Sequence, residues 1–120
     1  MSALALKGGP SNHPKPPEES LEGVVTPTQT MPINQSIFKY FPRTVTLRWS
    51  DVRRAKSYSI ETSFLTRSDW SAARQVSNIL ATSYTFDFVG AQKGRWRVWA
   101  VDATGHESQK SGWWEFTFTR

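Results

Sequence analysis

Arginine and tryptophan alternate near the end of this chain in a pattern that suits cation–π contacts. Arg95, Arg97 and Trp99 are separated by single apolar residues, and Trp113 begins the next aromatic segment. In an extended strand such residues project from one face. An exposed guanidinium over an indole face is stabilised by about 0.5–1 kcal/mol. The candidate binding face therefore consists of Arg95, Arg97, Trp99 and Trp113.

This face has three interpretations. It forms an internal ladder of stacked Arg and Trp side chains, it binds a ligand, or it contacts a neighbouring domain. A carbohydrate would stack on flat indoles, with Trp99, Trp113 and Trp70 as the platform and Arg95 and Arg97 as polar clamps. The ladder is the preferred interpretation, and the residue pattern leaves the other two open.

Catalysis and metal binding have little support in the sequence. The chain has no cysteine, which excludes disulfides, thiolate metal ligands and a cysteine nucleophile. Its two histidines are His13 and His106, and neither has a second histidine at a spacing that completes a zinc site. There is no nucleophile elbow and no phosphate-binding loop. We predict a protein that is not an enzyme, with no catalytic residues, no metal site and no cofactor.

The net charge of +5 is unevenly distributed along the chain. Residues 1–38 contain two Lys and three Glu, whereas residues 39–120 contain 13 Lys and Arg against seven Asp and Glu. Arg53, Arg54 and Lys56 cluster in a predicted turn, away from Trp99. Nucleic-acid surfaces interleave such cations with exposed aromatics, so we do not expect nucleic-acid binding. The positive charge is of the kind that keeps an ordinary domain soluble.

Composition divides the chain into two parts. Residues 1–29 are predicted to be a flexible Pro/Gly-rich tail or linker, because they carry too few large apolar groups to offset the entropy of ordering. Residues 30–120 are predicted to form the domain. No apolar segment approaches the roughly 20 residues of a membrane helix, so membrane insertion is not expected.

The domain contains segments of alternating apolar and polar residues, which predict β-strands. Turn residues separate them, and a convincing long helix is missing, so the pattern indicates an all-β antiparallel sandwich of two sheets. The side chains predicted to face inward are Val45, Leu47, Trp49, Tyr58, Ile60, Tyr84, Phe86, Phe88, Trp96, Val98, Ala100, Trp114, Phe116 and Phe118.

Residues 68–80 are ambiguous. Ser68 and Asp69 are suited to cap a helix, and the Ala-rich residues that follow have good helix propensity. The apolar residues do not form a stripe with helical period, however. We predict a short strand and an irregular loop.

Three motifs in order resemble the fibronectin type III family over residues 32–120. The first is a strand that ends in Trp49, followed by a turn and by Ala55 at the start of the next strand. The second is residues 96–105, an aromatic strand that ends in Ala-Val-Asp and a turn with Gly105. The third is the pair Ser108 and Ser111 ahead of the last strand.

The resemblance implies a seven-stranded antiparallel sandwich, with Trp96 in place of the tyrosine that the family usually has at that position. Packing would then have to hold this corner. It also implies a non-catalytic spacer or protein-interaction module, with a carbohydrate-binding module as the alternative. Cytokine-receptor members of this fold build an Arg/Trp ladder on the same face. The expected partner is another protein or a neighbouring domain, the expected state is a monomer, and the family suggests an extracellular or cell-envelope location.

Overall fold

The computed structural model describes residues 23–120, which form a two-layer β-sandwich. The three-stranded sheet has the order β1-β3-β6, and the five-stranded sheet has the order β2-β8-β7-β4-β5. No helix with the length and apolar character of a membrane span occurs among these residues. The strands are β1 (Gln29–Met31), β2 (Ser36–Phe38), β3 (Thr44–Trp49), β4 (Ala55–Phe64), β5 (Arg74–Ile79), β6 (Ser83–Asp87), β7 (Lys93–Asp102) and β8 (Trp114–Phe118).

The all-β sandwich is confirmed, but the described residues contain eight strands rather than seven, and one pair is parallel. The first edge segment is divided between the two sheets. Its β1 part pairs antiparallel with β3, and its β2 part pairs parallel with β8. Pro32 directly follows β1 and has no N–H to continue the ladder, which suits a change of sheet at this point. Gln35 then donates its N–H to the Glu115 carbonyl at 2.7 Å and begins the pairing with β8.

Alternation along each strand builds the core as predicted. Val45, Leu47 and Trp49 of β3 are all buried, and Trp49 lies between the sheets. Its ring centre is 5.7 Å from that of Tyr58 and 6.1 Å from that of Trp96. The predicted burial of Trp49 is therefore confirmed. The other inward residues of the prediction are buried or partly buried against the same cluster.

Strand β7 occupies the centre of the five-stranded sheet. It pairs with β4 along nearly its whole length and with β8 over its first four residues. Trp96, Val98 and Ala100 are completely buried, as predicted. Near its start, a Cβ on Gly94 would lie 2.7 Å from ring atoms of both Phe88 and Phe116, so the packing requires glycine here.

The structure of residues 65–79 confirms the predicted short strand and irregular loop and shows no helix there. An irregular loop with an isolated bridge between Leu65 and Trp70 leads into β5. Val76 and Ile79 of β5 pack against the core, while its polar residues face solvent. Val76 and Ile79 are three residues apart, and both reach the core side because the register with β4 shifts between Tyr58 and Ile60. Strand β5 is therefore an irregular strand at the edge of the sheet.

Residues 1–22, most of the predicted tail, lie outside the described residues, and the domain division stays a prediction. The chain already packs against the sandwich before residue 30, because Val24 and Gln29 are buried. Gln29 Nε2 donates a hydrogen bond of 3.0 Å to the Trp96 carbonyl. The Trp96 indole N–H has no hydrogen-bond partner among residues 23–120, so packing holds this ring, as the tyrosine replacement implied.

The described chain begins and ends at opposite ends of the sandwich. Gly23 lies beside the side chain of Asp102, at the end of β7. Thr117 of β8 pairs with Lys93, at the start of β7, and Phe118 donates its N–H to the Gln92 carbonyl. Since β7 has ten residues, these two ends are about 30 Å apart.

Candidate functional site

Strands β4 and β7 position the two cations of the predicted face. Ser63 lies opposite Arg95 in the antiparallel register, and Glu61 lies opposite Arg97. Arg95 Nε donates to Ser63 Oγ at 2.9 Å, and Arg97 Nε donates to Glu61 Oε1 at 2.7 Å. Each guanidinium is thereby held against the outer face of the five-stranded sheet.

Two indoles stack on these guanidinium groups. The guanidinium carbon of Arg95 lies 4.3 Å from the centre of the Trp70 ring and 4.1 Å from that of Trp113. The guanidinium carbon of Arg97 lies 4.3 Å from the Trp113 ring. We call Trp70, Arg95, Trp113 and Arg97 the Arg/Trp ladder. Its members are partly buried, so their flat faces are largely occupied by one another.

Trp99 lies on the predicted face of β7 but is not open to a ligand. Its side chain is 1% exposed, and it does not belong to the cluster between the sheets. The ammonium of Lys110 lies 4.5 Å from its ring centre. The four residues of the candidate face, Arg95, Arg97, Trp99 and Trp113, therefore do not form one open surface, because the Trp99 indole is buried.

The segment that carries Lys110 is attached to β7 by two serines. Ser111 donates its N–H to the Val98 carbonyl at 2.9 Å and accepts the Val98 N–H on its Oγ at 3.0 Å. Ser108 makes the same pair of bonds with Ala100, at 2.8 and 2.9 Å. The two serines thus replace a strand partner where β8 ends. They hold Lys110 near Trp99, and Trp113 follows directly.

Two carboxylates balance part of the positive charge. Glu61 is 13% exposed and binds Arg97 through Oε1, while its Oε2 lies 3.5 Å from the Lys110 ammonium. At the far end of the sheet Glu115 lies 3.4 Å from the Lys93 ammonium. Arg97 and Lys110 are thus paired with Glu61 as well as stacked on an indole, an arrangement suited to a stiff surface.

The turn after β7 is the second cluster of titratable groups. Asp102 Oδ1 accepts hydrogen bonds from the Thr104 hydroxyl at 2.8 Å, the Thr104 N–H at 2.9 Å and the His106 N–H at 3.0 Å. These bonds, led by that of the Thr104 hydroxyl, lower the pKa of Asp102. The arrangement is the turn that the sequence predicts. Among residues 23–120, no three His, Asp or Glu side chains are placed to hold a metal.

Glu61 and Lys110 belong to the site but were not among the predicted residues. Both are single charged residues without a motif. Only the strand register brings Glu61 opposite Arg97, and only the two serine attachments bring Lys110 near Trp99. Ser108 and Ser111, in contrast, were noted in the sequence as part of the family resemblance.

Comparison with known proteins supports the fold. No protein-family model matches the sequence, and a search of curated proteins found no match. A solved structure of an Fn3-like protein from Clostridium thermocellum has a TM-score of 0.57 at 23% identity, over 80% of this chain and 94% of that chain. The fn3 domain of human collagen alpha-1(XX) chain has a TM-score of 0.60 at 16% identity, over 93% and 94%. A β-1,2-glucanase from Parabacteroides distasonis has a TM-score of 0.54 at 24% identity, over 81% of this chain but 13% of that chain.

These likenesses and the two-sheet architecture define the fold. The chain has a fibronectin type III-like fold, which confirms the resemblance drawn from its motifs. At these identities the likeness concerns the fold.

Proposed function

We propose that this chain is a non-catalytic spacer or protein-interaction module. The observation that carries the proposal is the length of the sandwich. Gly23 lies beside the end of β7, whereas Phe118 lies beside its start, so these two residues are held about 30 Å apart. A neighbouring domain or another protein is the partner, and the module is a monomer.

The Arg/Trp ladder supports this function because it stiffens the five-stranded sheet. Strand β7 is hydrogen-bonded to β4 on one edge and to β8 and the two serines on the other. Across it, stacked side chains connect the loop before β5 with β7 and the start of β8. A sheet held both by backbone hydrogen bonds and by its outer face keeps a fixed shape under load.

The carbohydrate-binding alternative has less support from the geometry. A sugar needs a free indole face, whereas Trp99 is covered and Trp113 stacks against Arg95 and Arg97. Trp70 at the end of the ladder retains some exposure. A glycan array tests this alternative: a signal with the native protein that Trp70→Ala removes would favour it over the spacer.

A distance measurement tests the spacer. The chain has no native cysteine, so spin labels can be attached to Ala103→Cys and Arg120→Cys, which are exposed and lie beyond opposite ends of β7. We expect one narrow distance distribution of about 40 Å in the full chain, by pulsed electron paramagnetic resonance, because Arg120 lies about three residues beyond the start of β7 and Ala103 one residue beyond its end.

The matched control pairs Ala103→Cys with Arg53→Cys, which lie near the same end of the sandwich, and it measures the spread that the labels themselves contribute. A distribution between the two ends that is much broader than in this control, or that has two maxima, would contradict a rigid spacer.

A further inference from the structure

One edge of the three-stranded sheet is incomplete. Strand β1 pairs with β3 at two positions, Gln29 with Trp49 and Met31 with Arg48, and the chain then leaves for the other sheet. Strand β6 pairs with the opposite edge of β3 along its whole length from Thr44 to Arg48. No described strand pairs with residues 44–47 on the β1 side. This stretch of β3 is therefore an open edge within the sandwich.

The direction of the backbone groups follows from the hydrogen bonds at both ends of β3. The Arg43 carbonyl accepts from Phe88, and the Trp49 N–H donates to Thr82, so both point towards the β6 side. The Ser50 N–H donates to Thr28 on the other side. Since backbone groups alternate along a strand, the even-numbered residues of β3 face the open edge.

Thr46 is the residue of β3 whose outward backbone groups pair with no described strand. At Thr44 the carbonyl accepts a hydrogen bond of 2.8 Å from the Tyr40 hydroxyl. The N–H and C=O of Thr46 face the same edge beyond the reach of β1. An antiparallel strand placed here would exchange two hydrogen bonds with Thr46.

A groove with apolar walls lies along this edge. It has a volume of about 330 Å³ and is lined by residues that include Met31, Ile33, Phe38, Tyr40, Thr46 and Arg48, and we call it the edge groove. Met31, Ile33 and Tyr40 are 47%, 67% and 50% exposed. Among the described residues, five of the eight exposed large apolar side chains come from positions 31–41, so this surface is concentrated rather than scattered.

The charge at the edge groove is positive. Arg48 is exposed and lies on the outer face of β3, where it forms no ion pair within the described part of the chain. The described residues that line the groove include no Asp or Glu. Lys39, in the segment that follows β2, is also exposed. An approaching second copy would bring the same cations to the same place, whereas an acidic segment is attracted.

Strand geometry specifies the pattern of such a segment. Side chains of an added strand alternate between the groove and the outer face of the sheet. Those that point inward meet Met31, Phe38 and Tyr40, and those that point outward stand near Arg48. Apolar and acidic residues in alternation satisfy both sides.

We propose that the edge groove binds an extended segment of a partner protein in which acidic and apolar residues alternate. The segment pairs with Thr46 and adds a strand to the three-stranded sheet, as in other cases of recognition by strand addition. This inference rests on the interaction role in the proposed function and specifies its partner, on a surface remote from the ladder. Its test is independent of the distance measurement, which concerns the spacer alone.

Titration of the full chain with a synthetic peptide tests the inference. The probe is a peptide of about six residues with capped termini, in which Glu and Leu alternate. We expect amide NMR shifts concentrated at residues 44–48, with the Thr46 amide moving most. A second peptide has the same sequence but an N-methyl group on its central amides. Because it cannot donate to Thr46, we expect its affinity to be at least about tenfold weaker.

Charge reversal provides the matched pair of variants. Arg48→Glu replaces the cation next to the groove, and we expect it to weaken binding about fivefold to tenfold. Arg53→Glu makes the same change of net charge in the β3–β4 turn and should alter the affinity less than about twofold. Neither side chain belongs to the core.

Three results would overturn the inference. The first is an absence of shifts at residues 44–48, or shifts centred on the ladder. The second is binding that the N-methylated peptide reproduces, since strand pairing would then be missing. The third is a concentration-dependent shift of the Thr46 amide without peptide, which would make a second copy of this chain the occupant.

Discussion

Trp49 connects the two sheets and carries much of the core contact. It is 3% exposed and lies against Tyr58 and Trp96. We expect Trp49→Ala to lower the free energy of unfolding by about 3–5 kcal/mol, because it leaves a large cavity. Leu80→Ala removes an apolar side chain that is 78% exposed and should cost less than about 0.5 kcal/mol. Denaturant unfolding measures both, and a loss below about 1 kcal/mol for Trp49→Ala would contradict its central position.

Asp102 gives the turn after β7 a dependence on pH. Its hydrogen bonds lower the pKa below the ordinary value of 3.8, so the ionised carboxylate stabilises the fold above that pH. This contribution is lost as pH decreases through the folded-state pKa. We expect Asp102→Asn to unfold more easily than the native protein at pH 7 and to approach it in acid, below the lowered pKa of Asp102.

The comparison uses thermal unfolding at the two pH values. Asp69→Asn is the control, because the Asp69 carboxylate makes no hydrogen bond or ion pair among the described residues. An Asp102→Asn difference that is equal at both pH values would show that the charge of Asp102 has no role.

Gly94 marks a place where two aromatic rings press on the backbone. A methyl group there would meet Phe88 and Phe116 at 2.7 Å. We expect Gly94→Ala to destabilise the fold by about 1–3 kcal/mol through overpacking. Gly112→Ala makes the same change where a Cβ meets nothing within 4 Å, and it should be close to neutral. Equal stability of the two variants, by denaturant unfolding, would contradict the packing at the start of β7.

At the scale of elements, local alternation was enough to predict the faces of β3 and β7. Burial with a period of two is a property of neighbouring residues, so Trp49, Trp96 and Val98 could be assigned from the sequence. Register is a property of distant residues. It determines that Glu61 meets Arg97, and no local pattern in either strand contains this information.

The division of the first edge strand between the two sheets could not be predicted from the sequence either. Residues 29–38 have no regular alternation long enough to be assigned to one sheet, and their pairing depends on β3 and β8 at the far end of the chain. Burial of Trp99 has a similar origin. The residues that cover its face, Lys110 and the serine-attached segment, become neighbours through the turn after β7.

Removing one arginine from the Arg/Trp ladder tests how much the stacking contributes to stability. Arg97→Met keeps an unbranched side chain but loses the hydrogen bond to Glu61 and the stacking on Trp113. Glu61, which is mostly buried, then retains Lys110 at 3.5 Å. We expect a loss of about 1–3 kcal/mol in the free energy of unfolding.

Arg74→Met is the matched control for Arg97→Met. Arg74 lies in β5 of the same sheet, is exposed and forms no ion pair within the described residues. Its replacement should change the stability by less than about 0.5 kcal/mol. An Arg97→Met effect as small as that of Arg74→Met would mean that the ladder contributes little to the sheet.

For the whole molecule, fold class followed from the sequence and site chemistry followed in part. Arg95, Arg97 and Trp113 meet as the alternation and the family resemblance implied, and Trp70 joins them at one end. The flat faces of the indole and guanidinium groups on this surface are thus largely covered by one another. The edge groove has no counterpart among the motifs, because it arises where β1 leaves β3 unpaired.

The most direct test of the stacked face is an NMR measurement of the arginine side chains. Protons that lie over an indole ring are shifted upfield by its ring current. We expect the δ protons of Arg95 and Arg97 to resonate upfield of those of Arg53, and to move towards the Arg53 positions in Trp113→Leu. Native Arg95 and Arg97 resonances that coincide with those of Arg53 would show that the ladder does not form in solution.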